Sequence, residues 1–240
     1  PQWTGLTAHG KSYDLTPFRH QNVVFDRAIN QFDVNEFFDN DQTSGVWVSD
    51  SDWVAGSSGQ RSLRVWNPSE GTGYWIDLPF AISAGISAFR QGILIPADDQ
   101  RLYWLSAQSG EQRAIPFQSP LDADRPVLWK RPAVLDNGNM AVTDGKSNLF
   151  QLRVSESSPV QLTLKNTAAL RMSEKAEIVS VGETLYGIDR DGQLVAFSTE
   201  DLAVIGRWPL RQASEIGGMW KVDRYLFLKS FNNEWLCADD

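Results

Sequence analysis

Along RLYWLS (101–106) the side chains alternate: in an extended chain Leu102 and Trp104 face one way, Tyr103 and Leu105 the other. Both faces are apolar, which predicts a strand held between neighbouring sheets rather than one lying on a surface. GILIPA (92–97) and the polar turn DDQ (98–100) precede it; AQSG (107–110) and EQRAIPF (111–117) follow. The predicted order is strand, polar turn, strand, Gly-containing turn, strand.

That order recurs. DWVAG, RSLRVW and TGYWIDLPF carry it from Asp52 to Phe80, and NMAVT, NLFQLRV and VQLTL from Asn139 to Leu164. TLYGI, QLVAFS and LAVIGRWPL carry it from Thr184 to Leu210, and RYLFL and EWLCA from Arg224 onward. QWTGLT, SYDLTP and NVVFDRAI give a fainter copy from Gln2 to Ile29. Aligning Tyr13, Leu63, Leu102, Leu149, Leu194 and Trp235 gives spacings of 50, 39, 47, 45 and 41 residues, the period of four-stranded propeller units. Each later unit has a further apolar strand upstream: GVWVS (45–49), GISAF (85–89), PAVLD (132–136), EIVSV (177–181) and GGMWKV (217–222). Asp-Gly at 144–145 and 191–192, and Ser-Gly at 58–59 and 109–110, supply turn residues tolerant of positive φ.

The expected fold is therefore all-β: one β-propeller domain over residues 1–240, with about six (five to seven) four-stranded antiparallel blades. The repeats run approximately 1–43, 44–82, 83–120, 127–166, 175–211 and 215–240. The last unit stops after its third strand and the first lacks its first, so the ring is expected to close near the termini, where an open edge would invite aggregation. DVNEFFDND (33–41) and SPLDADRP (119–126) read as loops. They differ most between repeats and are where specific activity is to be sought.

DDQRLYWLSAQSGEQ and GETLYGIDRDGQLVAFSTEDLAVIGRWPL resemble the quinoprotein-like repeat of the PQQ type, roughly Gly-x-Leu-Tyr-Ala-Leu-Asp-x-x-(Thr/Ser)-Gly-x-x-x-Trp. Trp208 stands near the closing Trp in one unit; Ile115 and Pro116 stand there in the other, a departure. The resemblance implies a β-propeller. The calcium ligands, catalytic Asp and Cys-Cys pair of the quinone enzymes have no counterparts in this sequence, so the noncatalytic branch, which includes scaffold lipoproteins of outer-membrane assembly, is the nearer analogue. WD repeats share the fold and period, without their Gly-His and Trp-Asp signatures here.

Composition narrows the function. The formal net charge is −8, with no basic run, which disfavours nucleic acid, a polyanion bound through Lys and Arg. A single cysteine, Cys237, excludes a disulfide within these residues, and two histidines, His9 and His20, leave little for metal or triad chemistry. No apolar run approaches a transmembrane helix, and no signal-like segment opens the sequence; the compartment is left unassigned. Ten tryptophans, spread from Trp3 to Trp235, point to one packing problem solved repeatedly.

Tyr74-Trp75 and Tyr103-Trp104 read as inter-blade packing before sugar or base stacking. Asp189-Arg-Asp-Gly192 looks like the start of a calcium loop, but a hairpin turn explains it; Asp122 and Asp124 give a similar acidic loop. Inner-strand acids Asp50, Asp52, Asp136 and Glu177 are the candidates for a glycoside-hydrolysing pair, which needs two carboxylates at one site. Gly56-Ser-Ser-Gly59 lacks the Lys and helix of a phosphate loop, and Cys237 reads as a packed strand residue. No residue is assigned a catalytic, cofactor, metal or ligand role, and no cofactor is expected. The reading is a noncatalytic scaffold binding protein or peptide partners through a face or the central funnel. The alternative is a glycan-processing or sugar-binding propeller, and the exposure of Trp47, Trp66, Trp75 and Trp104 separates the sugar-binding form.

Overall fold

The computed structural model describes residues 4–6, 12–14, 43–49, 52–67, 70–119, 126–171, 177–210, 216–222, 225–230 and 235–239. Every regular element among them is a β-strand, and the strands form antiparallel sheets in plain chain order. Blade I holds β3 (Thr43–Trp47), β4 (Trp53–Ser57), β5 (Ser62–Asn67) and β6 (Thr72–Asp77). Blade II holds β7 (Ser87–Phe89), β8 (Gly92–Pro96), β9 (Arg101–Ser106) and β10 (Phe117–Gln118). Blade III holds β11 (Ala133–Val134), β12 (Met140–Thr143), β13 (Asn148–Val154) and β14 (Leu162–Ala169). Blade IV holds β15 (Ile178–Val181), β16 (Thr184–Ile188), β17 (Gln193–Ser198) and β18 (Val204–Pro209). Blade V has three strands, β19 (Ile216–Val222), β20 (Tyr225–Ser230) and β21 (Trp235–Asp239). A separate hairpin pairs β1 (Thr4–Leu6) with β2 (Ser12–Asp14).

First strands are neighbours from blade to blade: β3 with β7, β7 with β11, β11 with β15 and β15 with β19. The sheets thus follow one another around an axis, as the blades of a β-propeller do. The described pairings keep the hairpin and blade V as separate sheets, so closure near the termini lies outside them. An antiparallel meander sends successive turns to opposite ends. Turns joining strands one to two and three to four make the lower face. Turns joining two to three, with the inter-blade connections, make the upper face.

The core is a set of layers between blades. In β9 the alternation holds: Tyr103 and Leu105 pack with Val54, Leu63 and Ile93 between blades I and II, while Leu102 and Trp104 pack with Met140 and Phe150 between II and III. A further cluster joins blades III, IV and V through Leu149, Phe197 and Met219. Each large apolar side chain so buried contributes about 1.5–3 kcal/mol.

The turns repeat too. In three blades the fifth residue of the lower three-to-four turn donates its N–H to the carbonyl of the first at 3.0 Å: Gly71 to Asn67, Gly110 to Ser106, Leu202 to Ser198. Gly59, Gly110, Gly145 and Gly192 all take positive φ, as their dipeptides predict.

Two features depart from expectation. EQRAIPF does not continue as one strand. Arg113 N–H still meets Trp104 O at 2.9 Å, but Ile115 turns away and bonds Val160 O and Leu162 N–H of blade III. Tyr74 and Trp75 are not inter-blade filling: they are 46% and 58% exposed, against 8% for both Tyr103 and Trp104. They lie on a fourth, outermost strand, β6, whereas Tyr103 and Trp104 lie on a third strand, covered on both sides.

Candidate functional site

On the upper face the carboxylates hold their own turns. Asp144 Oδ1 accepts N–H bonds from Lys146, Ser147 and Asn148 at 2.9–3.0 Å, and Oδ2 accepts Asn148 Nδ2. Asp189 Oδ1 accepts from Asp191 and Gln193, and its Oδ2 from Arg207 Nη1 at 3.3 Å. Asp98 Oδ1 accepts the Ala81 N–H at 3.0 Å. Asp99 takes the Arg101 N–H on Oδ1 and the Tyr103 hydroxyl on Oδ2 at 2.6 Å. Burial first and the Asp99 carboxylate next raise the Tyr103 hydroxyl above the ordinary tyrosine range. These four carboxylates thus fix the geometry of the upper-face turns that hold them.

The lower face is locked blade to blade. Tyr74 of blade I donates to Gln108 O of blade II at 3.0 Å. Lys165 and Asn166 of blade III donate to Glu200 O of blade IV at 2.7 and 3.2 Å. Asn137 and Gln151 of blade III both donate to Thr199 O at 2.8 and 2.6 Å, and Gln151 is fully buried. Nearer the axis, Lys221 of blade V pairs with Asp136 of blade III at 3.5 Å, skipping blade IV. A side chain of one blade on the next blade's three-to-four turn thus fixes the rim at two seams.

The seam between blades II and III carries the strained element. β7 and β8 are joined by Arg90 and Gln91 alone, at φ 45° and 56°. Such a two-residue turn ordinarily takes Asn or Gly, and each non-glycine residue there costs about 1–2 kcal/mol. Arg90 is held by three contacts. Its Nη2 donates to Gly138 O of blade III at 3.0 Å, its carbonyl accepts Arg113 Nη1 at 3.3 Å, and its guanidinium lies 5.0 Å from the Phe89 ring centroid. Arg113 stacks in turn over Trp104 at 5.7 Å, and Trp104 Nε1 donates to Phe89 O at 3.1 Å.

The sequence candidates scatter. Glu177 immediately precedes β15 at its upper end, whereas Asp136 lies in the lower turn after β11. The inner strands thus set Glu177 and Asp136 at opposite ends, while Asp52 shares the lower end with Asp136. Asp52 accepts Ser49 Oγ at 3.1 Å in the lower turn of blade I. Asp189 and Asp191 form the expected hairpin turn, and Gly59, at φ 83°, turns a hairpin rather than cradling a phosphate. Trp66 is half-buried and Trp104 buried. Cys237 lies on β21. His9, His20, Asp50, Asp122, Asp124, the side chain of Trp47 and nearly all of the 33–43 loop lie outside the described residues. Among the described residues, no His, Cys, Asp or Glu cluster suits a metal ion, and no helix is long and apolar enough to cross a membrane. Arg90, Gln91 and Arg113 were not singled out in the sequence. The available signal was the dipeptide itself, an Arg-Gln junction between two strands with no usual turn residue.

The chain is similar in structure to virginiamycin B lyase from Staphylococcus aureus, with TM-score 0.63 and 9% identity over 100% of this chain and 77% of that one. It is also similar to the computationally designed Ika8 protein, with TM-score 0.58 and 11% identity over 81% of this chain and 57% of that one. No family model and no curated protein matches the sequence. At these identities the likeness is one of fold, the β-propeller.

Proposed function

We propose that the chain is a noncatalytic β-propeller scaffold, of the kind the PQQ-type resemblance implies, that binds protein or peptide partners on its lower face. The observation that carries the reading is the locked rim: Tyr74 on Gln108 O, and Lys165 and Asn166 on Glu200 O, tie neighbouring blades at their lower turns. A surface rigid before binding loses less conformational freedom on association, which favours its use as a docking face. The upper-face carboxylates, engaged in their own turns, support the choice of face.

The test is panning of the purified chain against a displayed peptide library. Expected are enriched peptides that bind saturably, with affinities on the order of micromolar, and that compete with one another. An empty selection counts against the scaffold. A sugar-binding reading keeps one supporting observation, the exposed Trp75 with Arg64 5.4 Å from its ring centroid. A glycan array and an assay for released reducing ends distinguish it: array binding lost in Trp75→Ala, or sugar release, replaces the scaffold reading.

A further inference from the structure

Arg90 and Arg113 close the lower end of the seam between blades II and III. The ion pairs of the described residues go elsewhere: Arg101 to Asp99, Arg207 to Asp189, Lys221 to Asp136. Each of the two guanidinium groups donates once, and to a backbone carbonyl: Arg90 to Gly138 O, Arg113 to Arg90 O. A guanidinium has five N–H donors in a planar fork, so most of each fork is unspent. Both arginines are exposed, and their guanidinium groups lie 5.0 and 5.7 Å from the ring centroids of Phe89 and Trp104, themselves in edge contact at 5.3 Å. Each side chain is already held by one hydrogen bond and one ring contact, which lowers the freedom lost on binding.

Arg113 reaches back to the Arg90 backbone, while Arg90 reaches forward to the next blade. Each guanidinium therefore keeps N–H donors for a carboxylate of its own. The turn through Arg90 and Gln91, both at positive φ, stands where the Arg90 head group meets Gly138 of the next blade.

We propose that Arg90 and Arg113 form a subsite for two carboxylate side chains of an acidic peptide lying across the seam between blades II and III, an inference that rests on the scaffold reading above. Fork-to-carboxylate bonds are charge-assisted and directional, and the overall charge of −8 favours a local, short-range grip over long-range steering.

The test is an NMR titration of the ¹⁵N-labelled chain with acetylated, amidated tetraglutamate, with tetraglutamine and with inorganic phosphate. The arginine Nε–Hε and Gly138 amide signals are followed. Tetraglutamate is expected to shift them saturably, tetraglutamine not at all, and phosphate only without saturation. Arg90→Lys and Arg113→Lys, which keep charge and lose the fork, are each expected to weaken tetraglutamate roughly tenfold. Arg101→Lys, on the upper face, leaves binding unchanged. Arg113→Lys decides alone if Arg90→Lys does not fold. Equal saturation by phosphate, or full affinity in the lysine variants, overturns the subsite. Silence toward tetraglutamate while panned peptides bind removes the subsite and leaves the scaffold; silence with an empty selection removes both.

Discussion

Leu202 stands in blade IV where Gly110 stands in blade II. Both have positive φ, 63° and 72°, and both donate to the first residue of their turn at 3.0 Å. At Gly110 a side chain would collide with Ile76; at Leu202 the side chain is 3% exposed and packs in the cluster joining blades III to V. Burial offsets a backbone conformation that costs leucine about 1–2 kcal/mol.

This inverts a familiar order. Leu202→Ala keeps the strained backbone and loses the buried side chain, at about 2–4 kcal/mol. Leu202→Gly loses the same side chain but relieves the strain, so it is expected to be the more stable of the two by about 1 kcal/mol. Urea unfolding of both variants measures the difference. An alanine variant at least as stable as the glycine variant refutes the account.

Gly92 and Trp104 make a second pair. A methyl group on Gly92 would stand 2.6 Å from Trp104 Nε1 and collide with the Leu105 carbonyl. Gly92→Ala is therefore expected to destabilise by about 3 kcal/mol or more. Trp104→Phe removes the donor to Phe89 O and leaves a gap, at about 2 kcal/mol. Thermal melts followed by circular dichroism read both; an unchanged midpoint in Gly92→Ala would mean the indole is not seated there.

Pairs of this kind explain which features the sequence made legible. The tryptophans looked like one packing problem, and Trp66 over Gly73 and Trp104 over Gly92 are instances of it, an indole filling the space above a glycine. Period-two alternation in RLYWLS was enough to assign Tyr103 and Trp104 to opposite inter-blade layers. Treating Tyr74-Trp75 as equivalent to Tyr103-Trp104 misled, because TGYWIDLPF follows RSLRVW as an outermost strand and only that rank separates covered from exposed. Arg90 and Gln91 stayed silent because neither is a usual residue for the two-residue turn that gives them positive φ, and the contacts of Arg90 with Gly138 and Arg113 are distant in sequence. The outward turn of Ile115 is likewise set by blade III.

Asp144 and Asp189 hold their turns through backbone N–H groups. Asp144→Ala strands three donors and is expected to cost about 2–3 kcal/mol by chemical denaturation. Asp189 Oδ1 is spent on two backbone N–H groups and Oδ2 faces the Arg207 guanidinium, so a cation at 189–192 would meet a like charge beside that oxygen. Added calcium and added chelator are expected to leave the melting temperature in place. A calcium-dependent rise abolished by Asp189→Asn would restore the metal reading.

Tyr103 gives the fold an alkaline limit. Its hydroxyl titrates above the ordinary value of 10.0, first because it is buried and then because it donates to Asp99. The folded chain therefore holds this proton more tightly than the unfolded one. The resulting stability is complete below the ordinary tyrosine range and is lost as pH rises through the raised folded value. Tyr103→Phe deletes that dependence along with the hydrogen bond to Asp99. It is expected to be about 1 kcal/mol less stable than the parent near neutrality, and to lose less stability than the parent above pH 10.0. Tyr74, raised by burial and by the Asp52 charge, supplies part of the slope that remains. Urea midpoints of parent and variant across the alkaline range measure the effect, and parallel curves would show that Tyr103 ionises as freely in the fold as out of it.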